Sequence, residues 1–133
     1  MRLGATPSPA RRERILVVDD EELVRMAIKA ILSFGGYDVA LAEHGAEGVE
    51  RFRDASPGFD LVVLDMHMPR LDGRGTLLRI REIDPSARVV LLSGAMQDPA
   101  NEGIEMEGVA FLQKPFENDE LLGLVRQMLG SRT

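Results

Sequence analysis

Three aspartates follow two apolar runs in this chain, and together they could bind a metal ion. Asp65 follows residues 61–64, and Asp19 and Asp20 follow residues 15–18. Short apolar runs are typical of strands buried in a parallel sheet, and ligands bind at the carboxyl edge of such sheets. Carboxylates gathered there repel one another unless a cation neutralises them, and Mg²⁺ prefers oxygen ligands. The three aspartates therefore predict a Mg²⁺ site, although Asp19 and Asp20 alone would equally fit an acidic helix start.

Two further apolar runs lead to residues that suit a phosphoryl group. Residues 89–92 precede Ser93, and residues 109–112 are followed by Lys114 and Pro115. A carboxylate beside Mg²⁺ can attack phosphorus, and a lysine can neutralise a phosphoryl oxygen as a point charge. A serine after a strand and a solvated lysine are each common on their own. The prediction of phosphoryl chemistry therefore depends on all four strand ends meeting at one edge.

Composition sets broad limits on structure and function. A chain of 133 residues with 44% hydrophobic residues is long enough for one domain with a real core. The net charge of -6 argues against nucleic-acid binding, and the absence of cysteine excludes disulfides and thiolate metal sites. No apolar stretch approaches the roughly 20 residues that cross a bilayer, and the start lacks a signal-peptide core. We therefore expect a soluble cytoplasmic domain with no membrane insertion.

The order of apolar patterns predicts a single α/β domain. Residues 1–12 are expected to form a flexible tail or linker, and residues 13–131 the domain. Five apolar runs alternate with five helical patterns, which predicts a parallel sheet covered by helices on both faces. The fourth helix, after Asp98 and Pro99, is expected to be short because it has few apolar anchors. The first helix is expected to direct six residues inward: Leu23, Val24, Ala27, Ile28, Ile31 and Leu32.

The four strand-end segments together resemble the receiver domain of two-component response regulators. In order, they are ILVVDDE at 15–21, LDMHMP at 64–69 with Asp72 and Gly73, LLSG at 91–94 and FLQKPF at 111–116. The resemblance covers about residues 13–130. It implies a doubly wound, flavodoxin-like receiver fold with strand order 2-1-3-4-5 and five helices. It also agrees with the sharp turn expected at Lys114–Pro115, where we predict a cis peptide bond.

The resemblance implies a phosphoacceptor site with bound Mg²⁺. Asp65 would accept a phosphoryl group from the phosphohistidine of a sensor histidine kinase or phosphotransfer protein. Asp20 and Asp65 would bind Mg²⁺ through their side chains, Asp19 mainly through water, and His67 through its backbone carbonyl. An imidazole role for His67, as a metal ligand or relay histidine, is the less favoured alternative.

The resemblance also implies a conformational switch. Ser93 and Lys114 would bind the phosphoryl oxygens, and Ser93 would move toward them on activation. Phe111 would rotate inward as Ser93 moves; the less favoured alternative is an ordinary aromatic residue of an edge strand. The change would reach the face formed by the fourth helix, the fifth strand and the fifth helix. Homodimerisation on activation is compatible with this scheme, and the downstream effector is not indicated.

Three other interpretations bear on the function of this chain. The segments at 91–94 and 111–116 look more like receivers attached to hybrid sensor kinases than like those preceding DNA-binding domains. A Mg²⁺-dependent phosphatase of the haloacid dehalogenase type would place an acid two residues after the nucleophile, where this chain has His67. A flavin-binding electron carrier would need a phosphate-cradling first loop, but residues 19–22 are all acidic. We therefore expect a signalling module rather than an enzyme acting on other substrates.

Overall fold

A computed structural model describes residues 12–94 and 107–130. Within these residues five strands form one sheet, and four helices pack on it. The strands are β1 (Arg14–Val18), β2 (Asp38–Ala42), β3 (Leu61–Asp65), β4 (Val89–Ser93) and β5 (Val109–Gln113). The helices are α1 (Glu22–Phe34), α2 (Gly45–Asp54), α3 (Gly73–Ile83) and α4 (Asn118–Leu129).

The sheet is wholly parallel, with strand order β2-β1-β3-β4-β5. This confirms the predicted order 2-1-3-4-5. The register places Asp65 beside Leu92, and Ser93 beside Gln113. Because all strands run in one direction, the residues that end β1, β3, β4 and β5 lie at the same edge of the sheet.

Two apolar layers cover the sheet, one on each face. Ile28 and Leu32 of α1 and Leu121 and Val125 of α4 pack on one face. Val49 of α2 and Leu77 and Ile80 of α3 pack on the other. All five residues of β3 and of β4 are buried, which explains why these strands are apolar rather than alternating up to their last residues, Asp65 and Ser93.

Helix starts are fixed by side chains in three of the four described helices. His44 Nδ1 accepts from Glu47 N–H at the start of α2, and Asp72 accepts from Gly75 N–H at the start of α3. Glu117 and Glu120 form a reciprocal capping box at α4. The start of α1 has no side-chain cap, so the loop between β1 and α1 is fixed by other contacts.

Two predicted inward positions on α1 are wrong. Leu23 is 85% exposed, and Ala27 is also exposed, whereas Ile28 and Leu32 are buried. Leu23 and Ala27 lie four residues apart, so they form a row of their own beside the buried stripe. This row borders a groove of about 580 Å³ that is also lined by Pro115 and Phe116.

The predicted fourth helix, after Asp98, lies outside the described residues, as does nearly all of the predicted tail 1–12. The predicted fifth helix is α4 in the present numbering. No helix among residues 12–94 and 107–130 is long and apolar enough to cross a membrane.

Candidate functional site at the carboxyl edge of the sheet

The hydrogen-bonded network of the sheet continues past the strand ends and positions the polar residues there. Lys114 N–H donates to Ser93 O at 2.8 Å, and Met66 N–H donates to Leu92 O at 2.9 Å. Asp19 N–H donates to Ala42 O at 3.3 Å. The side chains that follow β1, β3 and β5 are therefore carried by paired backbone rather than by free loops.

The Lys114 ammonium lies among three carboxylates. Its Nζ is 3.4 Å from Asp19 Oδ2, 3.5 Å from Asp65 Oδ1 and 3.6 Å from Glu21 Oε1. The side chain of Asp19 is fully buried and that of Asp65 is nearly so, whereas that of Glu21 is 63% exposed. The Lys114–Pro115 peptide bond is cis, which confirms the prediction.

The carboxylates outnumber the cation, and their pKa values reflect it. Burial, followed by the charge of Asp19, raises the pKa of the Asp65 carboxyl from 3.8 to about 6. Lys114 and the N–H of His67 oppose this rise. Burial also raises the pKa of Asp19, against the N–H of Glu21 and the charge of Lys114. The site is therefore short of positive charge near neutral pH.

The neighbouring carboxylates also shift the pKa of the Lys114 ammonium. Burial lowers the pKa of its ammonium, but the charges of Asp19 and Asp65 outweigh that effect, and the pKa is raised. Lys114 therefore stays protonated and acts as a fixed positive charge. It is suited to neutralising an anion rather than to transferring protons.

The donor set fits a hard divalent cation. The carboxylates of Asp19 and Asp65 are buried and offer oxygens within 4.8 Å of each other; Glu21 offers one at the same range, but it is exposed and pairs with Lys114. Mg²⁺ takes such oxygen ligands together with water, and it would neutralise charge on the carboxylates and on a phosphoryl group. Two of the predicted ligands, Asp19 and Asp65, therefore lie close enough together to share a divalent cation.

The acidic loop distributes its residues differently from the prediction. Asp20 is exposed and does not belong to the carboxylate group, whereas Glu21 does. Glu21 N–H donates to Asp19 Oδ1 at 2.9 Å, so the loop folds back over Asp19 and brings Glu21 toward Lys114. The sequence shows four consecutive acidic residues, but the turn that brings Glu21 rather than Asp20 toward Lys114 depends on this local hydrogen bond.

The remaining predicted residues lie around Asp65. His67 N–H donates to Asp65 Oδ1 at 3.2 Å, and the imidazole is exposed. Ser93 is buried at the end of β4. Phe111 is half-buried on β5 and packs against the layer that contains α2 and α3. The structure therefore brings Asp19, Asp65 and Lys114 into direct contact and places Ser93 and His67 at the same edge.

A buried arginine supports the site and was not predicted. Arg25 lies on the buried side of α1, and its Nη1 donates to Asp19 O at 2.7 Å. Arg25 N–H also donates to Glu21 O at 2.9 Å. One residue therefore holds the backbone of both residues of the β1–α1 loop that face Lys114, Asp19 and Glu21. The available sequence signal was a charged residue flanked by the apolar residues Val24 and Met26.

Comparison with known proteins gives a consistent result. A family model described as the response regulator receiver domain matches residues 15–126. The chemotaxis protein CheY of Bacillus subtilis is 40% identical over 118 residues, which span 87% of this chain and 97% of that protein. The response regulator MprA of Mycobacterium sp. strain KMS is 38% identical, and this chain spans 50% of its length.

Solved structures of receiver domains have the same fold. A response regulator receiver domain protein from Clostridium thermocellum has a TM-score of 0.81 and 30% identity, and the match covers 88% of this chain and 94% of that one. The receiver domain of the hybrid histidine kinase CckA has a TM-score of 0.74 and 31% identity, covering 88% of this chain and 99% of that one. The fold of this chain is thus that of known receiver domains.

Proposed function

The chain belongs to the response regulator receiver domain family of two-component systems, and on that premise we propose that Asp65 is its phosphoacceptor. The observation that carries the proposal is the contact between a buried carboxylate and a fixed positive charge: Asp65 Oδ1 lies 3.5 Å from Lys114 Nζ at the carboxyl edge of the sheet. The haloacid dehalogenase alternative has no support, because residue 67 is a histidine whose side chain is exposed.

The proposed step transfers a phosphoryl group from phosphohistidine to Asp65. One Asp65 oxygen forms a bond to phosphorus while the phosphorus–nitrogen bond of the donor breaks. The leaving imidazole nitrogen keeps the bonding electron pair and takes up a proton from solvent. Lys114 neutralises a phosphoryl oxygen, and the Ser93 hydroxyl donates a hydrogen bond to another. The donor is a sensor histidine kinase or a phosphotransfer protein.

Asp20 and Asp65 are the proposed side-chain ligands of the Mg²⁺ ion, and Asp19 is proposed to bind it mainly through water. The carboxylates of Asp19 and Asp65 are buried and lie close together. Asp20 and the His67 carbonyl remain proposed ligands on the basis of the family pattern. Asp20→Asn should weaken Mg²⁺ binding if Asp20 is a direct ligand, and an unchanged affinity would remove it from the site.

The proposed consequence of phosphorylation is a change on the side of β5. Ser93 ends β4 next to β5, and Phe111 lies on β5 against the adjacent core layer. Movement of Ser93 would alter Phe111 and the surface that includes β5 and α4. We further propose a cytoplasmic location, a receiver boundary near residues 13–131, and catalysis limited to the protein's own phosphorylation and dephosphorylation. Attachment to a hybrid kinase is compatible with the similarity to the CckA receiver.

Phosphorylation by a small donor tests the proposal. Acetyl phosphate with Mg²⁺ should add one phosphoryl group to the wild-type protein and none to Asp65→Asn, because an amide is a poor nucleophile. Asp38→Asn is the matched control, since Asp38 begins β2 at the opposite edge of the sheet. Intact-protein mass spectrometry measures the result. Equal labelling of the wild-type protein and Asp65→Asn would refute the assignment.

A further inference from the structure

Glu21 is a third partner of Lys114 with no part in the proposed transfer of the phosphoryl group. Its Oε1 lies 3.6 Å from Lys114 Nζ, nearly as close as Asp19 and Asp65. Asp65 is the proposed nucleophile and Asp19 a proposed cation ligand. Glu21 is instead largely exposed and approaches the ammonium from the solvent side. Its contact therefore needs a separate explanation.

The backbone of Glu21 is held in place by its neighbours. Glu21 N–H donates to Asp19 Oδ1 at 2.9 Å, and Glu21 O accepts from Arg25 N–H at 2.9 Å. Arg25 Nη1 in turn donates to Asp19 O. Glu21 is the N-cap residue of α1, and its fixed backbone is the point from which its side chain reaches Lys114.

We propose that Glu21 is a positioning residue that restrains Lys114 and slows phosphorylation of Asp65. The inference rests on the proposed function of Asp65. An ammonium has three N–H donors, and three carboxylates lie around this one, so all three donors can be engaged before a phosphoryl group arrives. When a phosphoryl group arrives at Asp65, Lys114 must turn toward the new oxygens. Its contact with Glu21 favours the unphosphorylated arrangement and opposes that turn.

The size of the effect follows from the exposure of the pair. Exposed ion pairs are weak, so removing this one should raise the phosphorylation rate by about two- to fivefold. Glu21→Gln is the test variant because it keeps the side chain's length while removing its charge. Glu22→Gln is the matched control: it removes the same charge from the next residue, which is exposed and begins α1. A purely long-range charge effect would accelerate both variants equally.

Two additional variants separate contact between Glu21 and Lys114 from the charge of Glu21, and a Mg²⁺ titration separates it from metal binding. Glu21→Asp keeps the charge but shortens the side chain, so it should behave like Glu21→Gln if contact with Lys114 matters. In a Lys114→Gln background, Glu21→Gln should have no more effect than Glu22→Gln. Rates are measured with acetyl phosphate across a Mg²⁺ titration, by intact-protein mass spectrometry.

The expected result is faster labelling of Glu21→Gln and Glu21→Asp than of Glu22→Gln, with unchanged half-saturation by Mg²⁺. Equal rates for Glu21→Gln and Glu22→Gln would overturn the inference. Slower labelling of Glu21→Gln, with half-saturation at a higher Mg²⁺ concentration, would also overturn the inference, since Glu21 would then act as a cation ligand. Either failure leaves Asp65 as phosphoacceptor, whereas labelling of Asp65→Asn would refute the proposed function itself.

Discussion

Replacing Asp65 with asparagine should stabilise the metal-free protein at neutral pH, although it abolishes the proposed phosphoacceptor. Burial and the charge of Asp19 raise the pKa of the Asp65 carboxyl from 3.8 to about 6. The folded protein thus holds this proton more tightly than the unfolded chain does. Ionised Asp65 is therefore a source of instability that the uncharged amide lacks.

The magnitude follows from the pKa difference between the two states. Each pKa unit corresponds to about 1.4 kcal/mol, so the rise costs the folded state about 3 kcal/mol once Asp65 is ionised in both states. Because the pKa of Asp65 is higher in the folded state than in the unfolded chain, the bound proton contributes to stability. This contribution is fully present below about pH 4 and is lost as pH rises through about 6. Asp65→Asn should therefore exceed the wild type by about 3 kcal/mol at pH 7.5 and by about 1 kcal/mol at pH 4.5.

Urea unfolding followed by circular dichroism measures this difference. The titrations are run in EDTA at pH 4.5, 6 and 7.5, and Asp38→Asn, an exposed carboxylate at the start of β2, serves as the control. Asp38→Asn should follow the pH dependence of the wild type. Saturating Mg²⁺ should narrow the gap at pH 7.5, because a cation bound to the folded wild type stabilises it. A gap that is independent of pH, or an Asp65→Asn protein less stable than wild type at pH 7.5, would refute the reasoning.

Three further substitutions test other parts of the site. Lys114→Gln removes the ammonium that pairs with the buried carboxylates, so the free energy of unfolding in EDTA should fall by about 2 kcal/mol at pH 7.5. The loss should be smaller at pH 5, and an equal loss at both pH values would contradict this. In Gly73→Ala, the added Cβ would lie 2.5 Å from the Asp65 carbonyl oxygen. Urea unfolding should therefore show a loss of about 2 kcal/mol in the free energy of unfolding, and phosphorylation of Asp65 should slow. Gly123→Ala is the control, because its Cβ would enter open space and should cost no stability. Arg70 has a φ of 66°, and Arg70→Gly should raise the unfolding free energy by up to about 1 kcal/mol; a loss of stability would show that its side chain matters more than its backbone.

Much of the fold could be predicted from the sequence because its strands are buried on both faces. β3 and β4 are short apolar runs that end in Asp65 and Ser93, and such runs have few alternatives in a chain of this length. Parallel strands carry their ends to one edge, so the proximity of Asp65 and Lys114 followed from topology. The order of the strands came from the family resemblance, since periodicity alone does not determine it.

The details of the first loop and helix could not be predicted in the same way. The approach of Glu21 to Lys114 depends on one hydrogen bond from its own N–H to Asp19, and apolar periodicity carries no information about it. The exposure of Leu23 depends on the rotation of α1 about its axis, which the buried Arg25 helps to set through Asp19 O. Both features arise from tertiary hydrogen bonds rather than from local propensity.

Direct identification of the phosphorylated residue is the most decisive measurement of the central claim. The protein is labelled with acetyl phosphate and Mg²⁺, reduced with borohydride to convert aspartyl phosphate to homoserine, and cleaved with trypsin. Cleavage after Arg53 and Arg70 isolates peptide 54–70, which contains Asp65. Peptide sequencing by mass spectrometry should find homoserine at position 65 and nowhere else. Homoserine at Asp19, Asp20 or another carboxylate, with Asp65 unmodified, would contradict the assignment of Asp65 as the phosphoacceptor.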